Sequence, residues 1–205
     1  MVAFELFEEI NKHLLEDEKP SVFLNAIYNE SLFSEYPFEM LFCLKGVEQS
    51  PVHHPEGNVW NHTLLVVDEA ANLKGRSKNQ TVFMWAALLH DIGKASTTQV
   101  RRDKITAYDH DKAGQELSKA FLSVFSDDEK FINEVSQLVR YHMQILFVVN
   151  DMSFADIGGM RRNTDINEIA LLGLCDRIGR KGYNRKYEEE NIAQFLKKCN
   201  ADIFA

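Results

Sequence analysis

The 205-residue sequence predicts an all-α fold. Three observations carry this. Apolar residues recur at helical spacing along most of the chain. No stretch alternates apolar and polar residues as a half-buried strand does. Two stretches, 81–92 and 167–178, are apolar nearly all round, as helices buried in a core are.

The elements follow in order. In residues 3–17, Phe4, Leu6, Phe7, Ile10 and Leu14 repeat with acids between them, giving an amphipathic helix. Residues 21–28 and 36–44 read as two shorter helices. The stretch 51–57 (PVHHPEG) is a loop by its prolines and glycine. Asn58 or Asn61 caps the next helix, which runs to about Leu73 with Val59, Thr63, Val66, Val67 and Ala70 on one face. Residues 75–79 are a turn. The helix over 81–92 is stopped by Gly93. Residues 95–107 are polar, basic and loop-like. Helices follow over 109–125 and 127–141, the latter with acids in its first turn. Residues 152–164, with Gly158-Gly159, read as a loop or helix break. The buried helix 167–178 and an amphipathic helix over 187–198 complete the chain.

No linker and no repeat stands out, so one domain is expected over 1–205. Residues 1–45 would add a helical layer to a core over 46–182, and 183–205 would be a C-terminal helix. The longest apolar run, 82–89, is far too short for a membrane span. The acidic N-terminus is unlike a signal peptide. Cys43, Cys175 and Cys199 are odd in number and far apart, which suits buried thiols in a reducing cytoplasm. The net charge of −8 argues against non-specific coating of nucleic acid. That charge is uneven: residues 1–73 hold 3 Lys+Arg against 13 Asp+Glu, whereas 74–205 balance at +2.

Chemistry concentrates at Leu88-Leu89-His90-Asp91-Ile92-Gly93-Lys94. His90 and Asp91 extend faces that are otherwise core, where an aspartate is unfavourable unless paired or metal-bound. His62 lies in line with Val66 on the preceding helix, and Asp176 follows Leu172 by one turn on the helix 167–178. His62, His90, Asp91 and Asp176 thus make a His2Asp2 set, suited to Mn, Fe, Ni, Co or Zn and less to Mg. His110 and His142 fall at helix ends and could hold a second metal with Asp91 bridging. Singly, each has a plain structural reading. Asp91 could end a helix, and Lys94 could be a C-cap lysine. Two acids and four histidines on five helices make coincidence a poor account. His13, on an acidic amphipathic face, reads as a surface residue.

These residues resemble the HD superfamily of metal-dependent phosphohydrolases, over roughly residues 40–180. The pattern is His62, His90-Asp91 and Asp176. The match is closer to the HD domain of bacterial tRNA nucleotidyltransferases. His54-Pro55-Glu56-Gly57-Asn58-Val59-Trp60-Asn61-His62-Thr63 resembles its HPEG-x-V-W-x-H-T stretch. His110 with Gly114 resembles its H-x-x-x-G element, and Leu171-Leu172-x-Leu174-x-Asp176 with Arg180 its last helix. Asp109-His110-Asp111 departs from the usual Gly-His-Glu. The nucleotidyltransferase segment GG-x-x-x-RD is absent, so a free-standing hydrolase module is expected.

The resemblance implies an all-α HD fold with one or two divalent metals, Mg included, acting on a phosphate ester of a nucleotide or related compound. His62, His90, Asp91 and Asp176 carry over as principal ligands. His110 and His142 carry over as ligands of a second metal or as phosphate contacts. Asp91 would orient or deprotonate the attacking water, and Lys94 would reach a phosphate oxygen. Arg180 is the foremost phosphate clamp. Arg101, Arg102, Arg161, Arg162 and Arg177 are further candidates, and His54 and Glu56 would line the mouth. The HPEG match favours phosphate on the 2′ or 3′ side of a ribose, including 2′,3′-cyclic phosphates. It leaves an RNA 3′ end open as a partner. A 5′-nucleotidase suits the same metals. Two other readings are a metal-loaded but inactive nucleotide sensor and an all-α interaction protein.

Overall fold

The computed structural model describes residues 2–102 and 104–201. Residues 202–205 of the expected C-terminal segment lie outside the described residues. The helices are α1 (Ala3–Glu16), α2 (Pro20–Ile27), α3 (Glu39–Phe42), α4 (Val59–Leu73), α5 (Gln80–Leu89) and α6 (Lys94–Thr97). They continue with α7 (His110–Leu122), α8 (Glu129–Tyr141), α9 (Gln144–Val149), α10 (Ile157–Asn163), α11 (Ile166–Ile178) and α12 (Arg185–Ala201).

The all-α expectation holds apart from one antiparallel hairpin, β1 (Thr98–Arg101) with β2 (Lys104–Ala107). This hairpin corrects the loop expected over 95–107. Its strands are four residues each and solvated on both faces, so they lack the alternation that marks a half-buried strand. A second correction concerns 152–164. There Asp156 accepts from the backbone N–H of Gly159 at 2.8 Å and starts α10 despite the two glycines. A Cβ on Gly159 would collide with that capping carboxylate. The helix α9 was not expected at all. The helix expected over 36–44 is one turn, α3, followed by a 3-10 turn over Cys43–Gly46. Asn58, rather than Asn61, caps α4, accepting from the N–H of Asn61 at 2.9 Å.

One hydrophobic cluster joins the layers. Helix α5 is buried along its length from Val82 to Leu89 and packs against α1, α4, α8 and α11. The N-terminal layer is part of this core: Phe7 stacks on Trp85 at 4.6 Å, and Trp85 donates to Asn11 at 2.9 Å. Helix α2 is tied to α4 by Ser21, which donates to Asp68 through Oγ (2.7 Å) and its backbone N–H (3.0 Å). Trp60, Trp85 and Phe83 are fully buried, and burial of a phenylalanine such as Phe83 contributes about 1.5–3 kcal/mol. Cys175 and Cys199 are buried as expected, whereas Cys43 is exposed.

Gly93 does not end a helix in the manner expected. Its φ is −69°, not the left-handed conformation of a glycine C-cap. Its purpose is close approach. A Cβ there would strike the carbonyl of His110 and lie 2.6 Å from the backbone nitrogen of Gly114. The missing side chain lets the His90–Lys94 turn rest directly on the first turn of α7.

Candidate metal centre

Helix α5 delivers His90 and Asp91 past its last turn into a space closed by α4, α7, α8 and α11. His90 and His62 are wholly buried, Asp91 and His142 are 2 % exposed, and Asp176 is 7 % exposed. So polar a group inside a core must be held together by its own contacts or by a bound cation.

Three of the histidines are oriented in one way. His90 donates Nδ1–H to the carbonyl of Ala87 (2.8 Å), His110 to that of Ala107 (2.7 Å) and His142 to that of Val139 (2.6 Å). The acceptor is three residues back each time. A carbonyl can only accept, so Nδ1 carries a proton in each ring, and in the neutral ring Nε2 presents a lone pair to the centre. The Nε2 atoms of His110 and His142 then face each other at 3.2 Å. Between two neutral rings this sets lone pair against lone pair, a repulsion that a shared proton or a bound cation relieves. Nε2 of His90 is buried without a hydrogen-bond partner. His62 stands between two carboxylates, with Glu56 Oε1 3.0 Å from Nδ1 and Asp176 Oδ1 3.0 Å from Nε2. One proton on a neutral ring serves only one of them.

These donors fit divalent metal ions. His62, His90 and Asp91 form one cluster of potential ligands, and Asp91, His110 and His142 form another. Asp91 belongs to both: Oδ2 lies 3.3 Å from His90 Nε2, and Oδ1 lies 3.5 Å from His110 Nε2 and 3.7 Å from His142 Nε2. Mixed imidazole and carboxylate donors suit Mn, Fe, Co, Ni or Zn.

Cations around the rim set the electrostatics. Lys94 Nζ is 2.7 Å from Asp91 Oδ2 and donates to Gln49 Oε1 at 2.7 Å. Lys94 therefore caps no helix. Burial works to raise the pKa of Asp91, but Lys94 and then His90 hold it well below the usual carboxylate range. Burial likewise opposes ionisation of Asp176, and Arg180 followed by His62 holds it ionised. Arg180 donates from Nη2 to both Asp176 oxygens, at 2.9 and 3.0 Å. Burial opposes ionisation of Glu56, but hydrogen bonds to His62, to the backbone and to His54 together draw it down to about 2. His54 lies edge-on to His62 at 4.7 Å and is bonded to Glu56 at 2.9 Å. Burial, then Lys94, lowers its pKa to about 4. His142 falls to about 3 through burial and then the charge of His110.

All six residues expected to bind metal are thus brought together. Arg180 touches Asp176, and His54 and Glu56 touch His62. Other arginines lie elsewhere. Arg177 pairs with Glu188 of α12 at 3.0 Å, Arg101 and Arg102 are exposed on the hairpin, and Arg161 is on α10. His13 is partly exposed, lies between Glu9 and Asp17, and stacks on Phe23.

Two contributors went unrecognised in the sequence. Gln49, 7 % exposed, holds Lys94. Asp111 is the residue that departs from the familiar motif; it is buried and ion-paired with Arg140 of α8. That pair fastens the start of α7, with His110, to the end of α8, next to His142. A buried acid one residue after a histidine was the available signal. An uncharged glutamine in a loop offered none.

The sequence matches the HD domain family over residues 59–178, from the first residue of α4 to the last of α11. It is similar to the "Multifunctional CCA protein" of Actinobacillus pleuropneumoniae serotype 5b, 32% identical over 189 residues, covering 84% of this chain and 42% of that protein. The proteins of that name from Methylococcus capsulatus and Alkalilimnicola ehrlichii are each 29% identical and match 98% of this chain. The match covers 41% of the former protein and 42% of the latter. The chain spans about two fifths of the length of these relatives.

Proposed function

This chain belongs to the HD domain family, and from that premise we propose that it is a metal-dependent phosphohydrolase acting on a nucleotide or related phosphate ester. The reaction is of the phosphomonoesterase or 2′,3′-cyclic phosphodiesterase type. The observation that carries this reading is the pair of ligand clusters sharing Asp91, with Lys94 against the shared carboxylate. A binding protein needs no ammonium group placed where phosphoryl charge would grow.

Bound divalent metal supplies Lewis acidity toward the phosphoryl oxygens and acidifies water. His62, His90 and Asp91 would hold one ion, Asp176 completing that side, and Asp91, His110 and His142 a second. Asp91, ionised throughout the neutral range, accepts a hydrogen bond from the attacking water and orients it toward phosphorus. The water oxygen bonds to phosphorus, the ester P–O bond breaks, and the departing oxygen takes a proton. Lys94 offsets the negative charge that builds on the phosphoryl oxygens. Arg180 keeps Asp176 ionised and in place, and its remaining N–H groups are available to a substrate phosphate. His54 is neutral. With Nδ1–H directed to Glu56, its Nε2 accepts, which suits a ribose hydroxyl better than a phosphate.

The resemblance of the HPEG stretch supports a 2′- or 3′-phosphate or a 2′,3′-cyclic phosphate, and leaves an RNA 3′ end within reach. Among the described residues no helix is long and apolar enough to cross a membrane. The test uses the full chain loaded with Mn, Ni, Co or Mg against cyclic and linear nucleotide phosphates. Metal-dependent phosphate release or ring opening is expected, with Asp91→Ala abolishing it. Release that survives Asp91→Ala unchanged overturns the assignment. Metal and nucleotide binding without turnover would identify a sensor, and absence of bound metal an interaction protein.

A further inference from the structure

The hairpin β1–β2 has no place in the metal centre, yet it is rooted there. It begins directly after α6, which carries Lys94. It ends at Ala107, whose carbonyl receives the Nδ1–H of His110. Its base pair is Thr98 with Ala107 and its outermost pair is Arg101 with Lys104. At about 3.3 Å per residue the tip stands roughly 10 Å from the base.

What it exposes is unusual for an acidic chain. Arg101, Arg102 and Lys104 are all exposed around the tip, and in the sequence they outnumber the single acid among them, Asp103. Elsewhere on the surface Lys78 is paired with Asp165 and Lys112 with Asp109. Two large apolar groups accompany the cations: Val100 is 70 % exposed, and Tyr108, just past the base, is 79 % exposed. Neither covers the core.

We propose that this hairpin is a docking arm for a single-stranded polynucleotide whose phosphorylated end enters the metal centre. The proposal rests on the phosphohydrolase reading for the fate of that end and adds the substrate class: an oligonucleotide in preference to a free mononucleotide. The dimensions agree. A stacked strand places a phosphate about every 3.4 Å, so cations gathered at a tip roughly 10 Å from the base meet the backbone about three phosphates away from the reacting end. Tyr108, at the root, offers a ring face on which a base beside the reacting end can stack. Three cations are too few to coat nucleic acid, so the strand is held only where its end is also held. An acidic protein segment would satisfy the cations but leaves the exposed ring beside the phosphate site without a task.

The test compares the metal-loaded wild type with two variants, Arg101→Glu/Arg102→Glu/Lys104→Glu and Tyr108→Ala. Binding of a short fluorescein-labelled single-stranded RNA ending in a 3′-phosphate is read by anisotropy across a salt series. Turnover of that RNA is compared with that of a mononucleotide 3′-phosphate. The wild type is expected to bind the RNA with a log–log salt slope near −2, about −0.7 per phosphate contacted. The triple variant is expected to lose that slope and at least tenfold in affinity. The ratio of kcat/KM for RNA over mononucleotide should fall by a similar factor. Tyr108→Ala should weaken RNA binding about tenfold with its slope intact. Unchanged RNA binding in the triple variant overturns the proposal, as does competition by a polyglutamate peptide as effective as that by unlabelled RNA. Because binding is read apart from turnover, a protein that binds RNA through the arm but hydrolyses nothing overturns the phosphohydrolase reading alone.

Discussion

Gln49 carries no chemistry of its own, and its effect is transmitted through Lys94. A lysine has only donors, so the contact at 2.7 Å must be made by the amide oxygen, and the orientation of the side chain is settled by its partner. Replacing Gln49 with leucine removes one of the two acceptors that hold the Lys94 ammonium over Asp91. Hydrogen bonds to charged groups contribute about 1.5–3 kcal/mol, so kcat should fall roughly ten- to a hundredfold. Metal content measured on the purified variant should stay unchanged, because no proposed ligand is touched. A loss of metal equal to the loss of rate would show that Gln49 acts on the metal site itself. The second cluster has the converse expectation. His110→Ala and His142→Ala each break the Asp91–His110–His142 group, and elemental analysis should find about one equivalent of metal fewer, with His62 and His90 still occupied. The six proposed ligands were legible because histidine and aspartate on apolar faces conflict with their surroundings. Gln49 was not, because a neutral amide in a loop conflicts with nothing until its neighbours are known.

At the scale of elements, the helices that carry the ligands were legible and the short connections were not. Long periodic segments such as α4, α5 and α11 declare themselves through burial of one face or of all faces. The hairpin and α10 depend instead on a tight chain reversal and on the single cap Asp156, which periodicity does not report. Gly93 was noticed for the wrong reason. Read as a stop signal, it is in fact the contact point between the His90–Lys94 turn and α7. Gly93→Ala puts a methyl against backbone on two sides, the His110 carbonyl and the Gly114 nitrogen, neither of which can swing away as a side-chain end does. The cost of overpacking is typically 1–3 kcal/mol, and rigid backbone places this case at the upper end. Thermal unfolding should move down by about 5–10 °C for a chain of this size. Since the displaced carbonyl belongs to His110, the variant should also lose metal from the second cluster ahead of the first. Unaltered stability with full metal occupancy would mean that the two elements can separate freely.

For the whole molecule, the charge of −8 and the buried histidines make opposite claims about acid. Lowering pH toward the isoelectric point near 5.4 reduces net charge and self-repulsion, which by itself favours the folded state. The histidines of the metal-free centre oppose this. His54 and His142 are held at about 4 and about 3, chiefly by burial, while in the unfolded chain each titrates near 6.5. Between those values the unfolded chain takes up protons that the folded chain refuses, so stability falls as pH falls. The slope is about 1.4 kcal/mol per pH unit for each histidine. His90 does not offset the loss. Burial is overcome by Asp91, which raises its pKa, so its contribution is complete below the unfolded value and is lost only as pH rises. Glu56, Asp91 and Asp176 are depressed carboxylates, whose stabilisation is present above about pH 4 and disappears below it. The window from pH 6.5 to 4.5 therefore isolates the two histidines. Chelator-treated protein should lose stability steadily across it in denaturant titrations, although its net charge passes through zero within that window. In His54→Gln the slope should be about half as steep. A stability that is flat or rising across this window would mean that the metal-free centre opens to water and that its histidines titrate as exposed groups do.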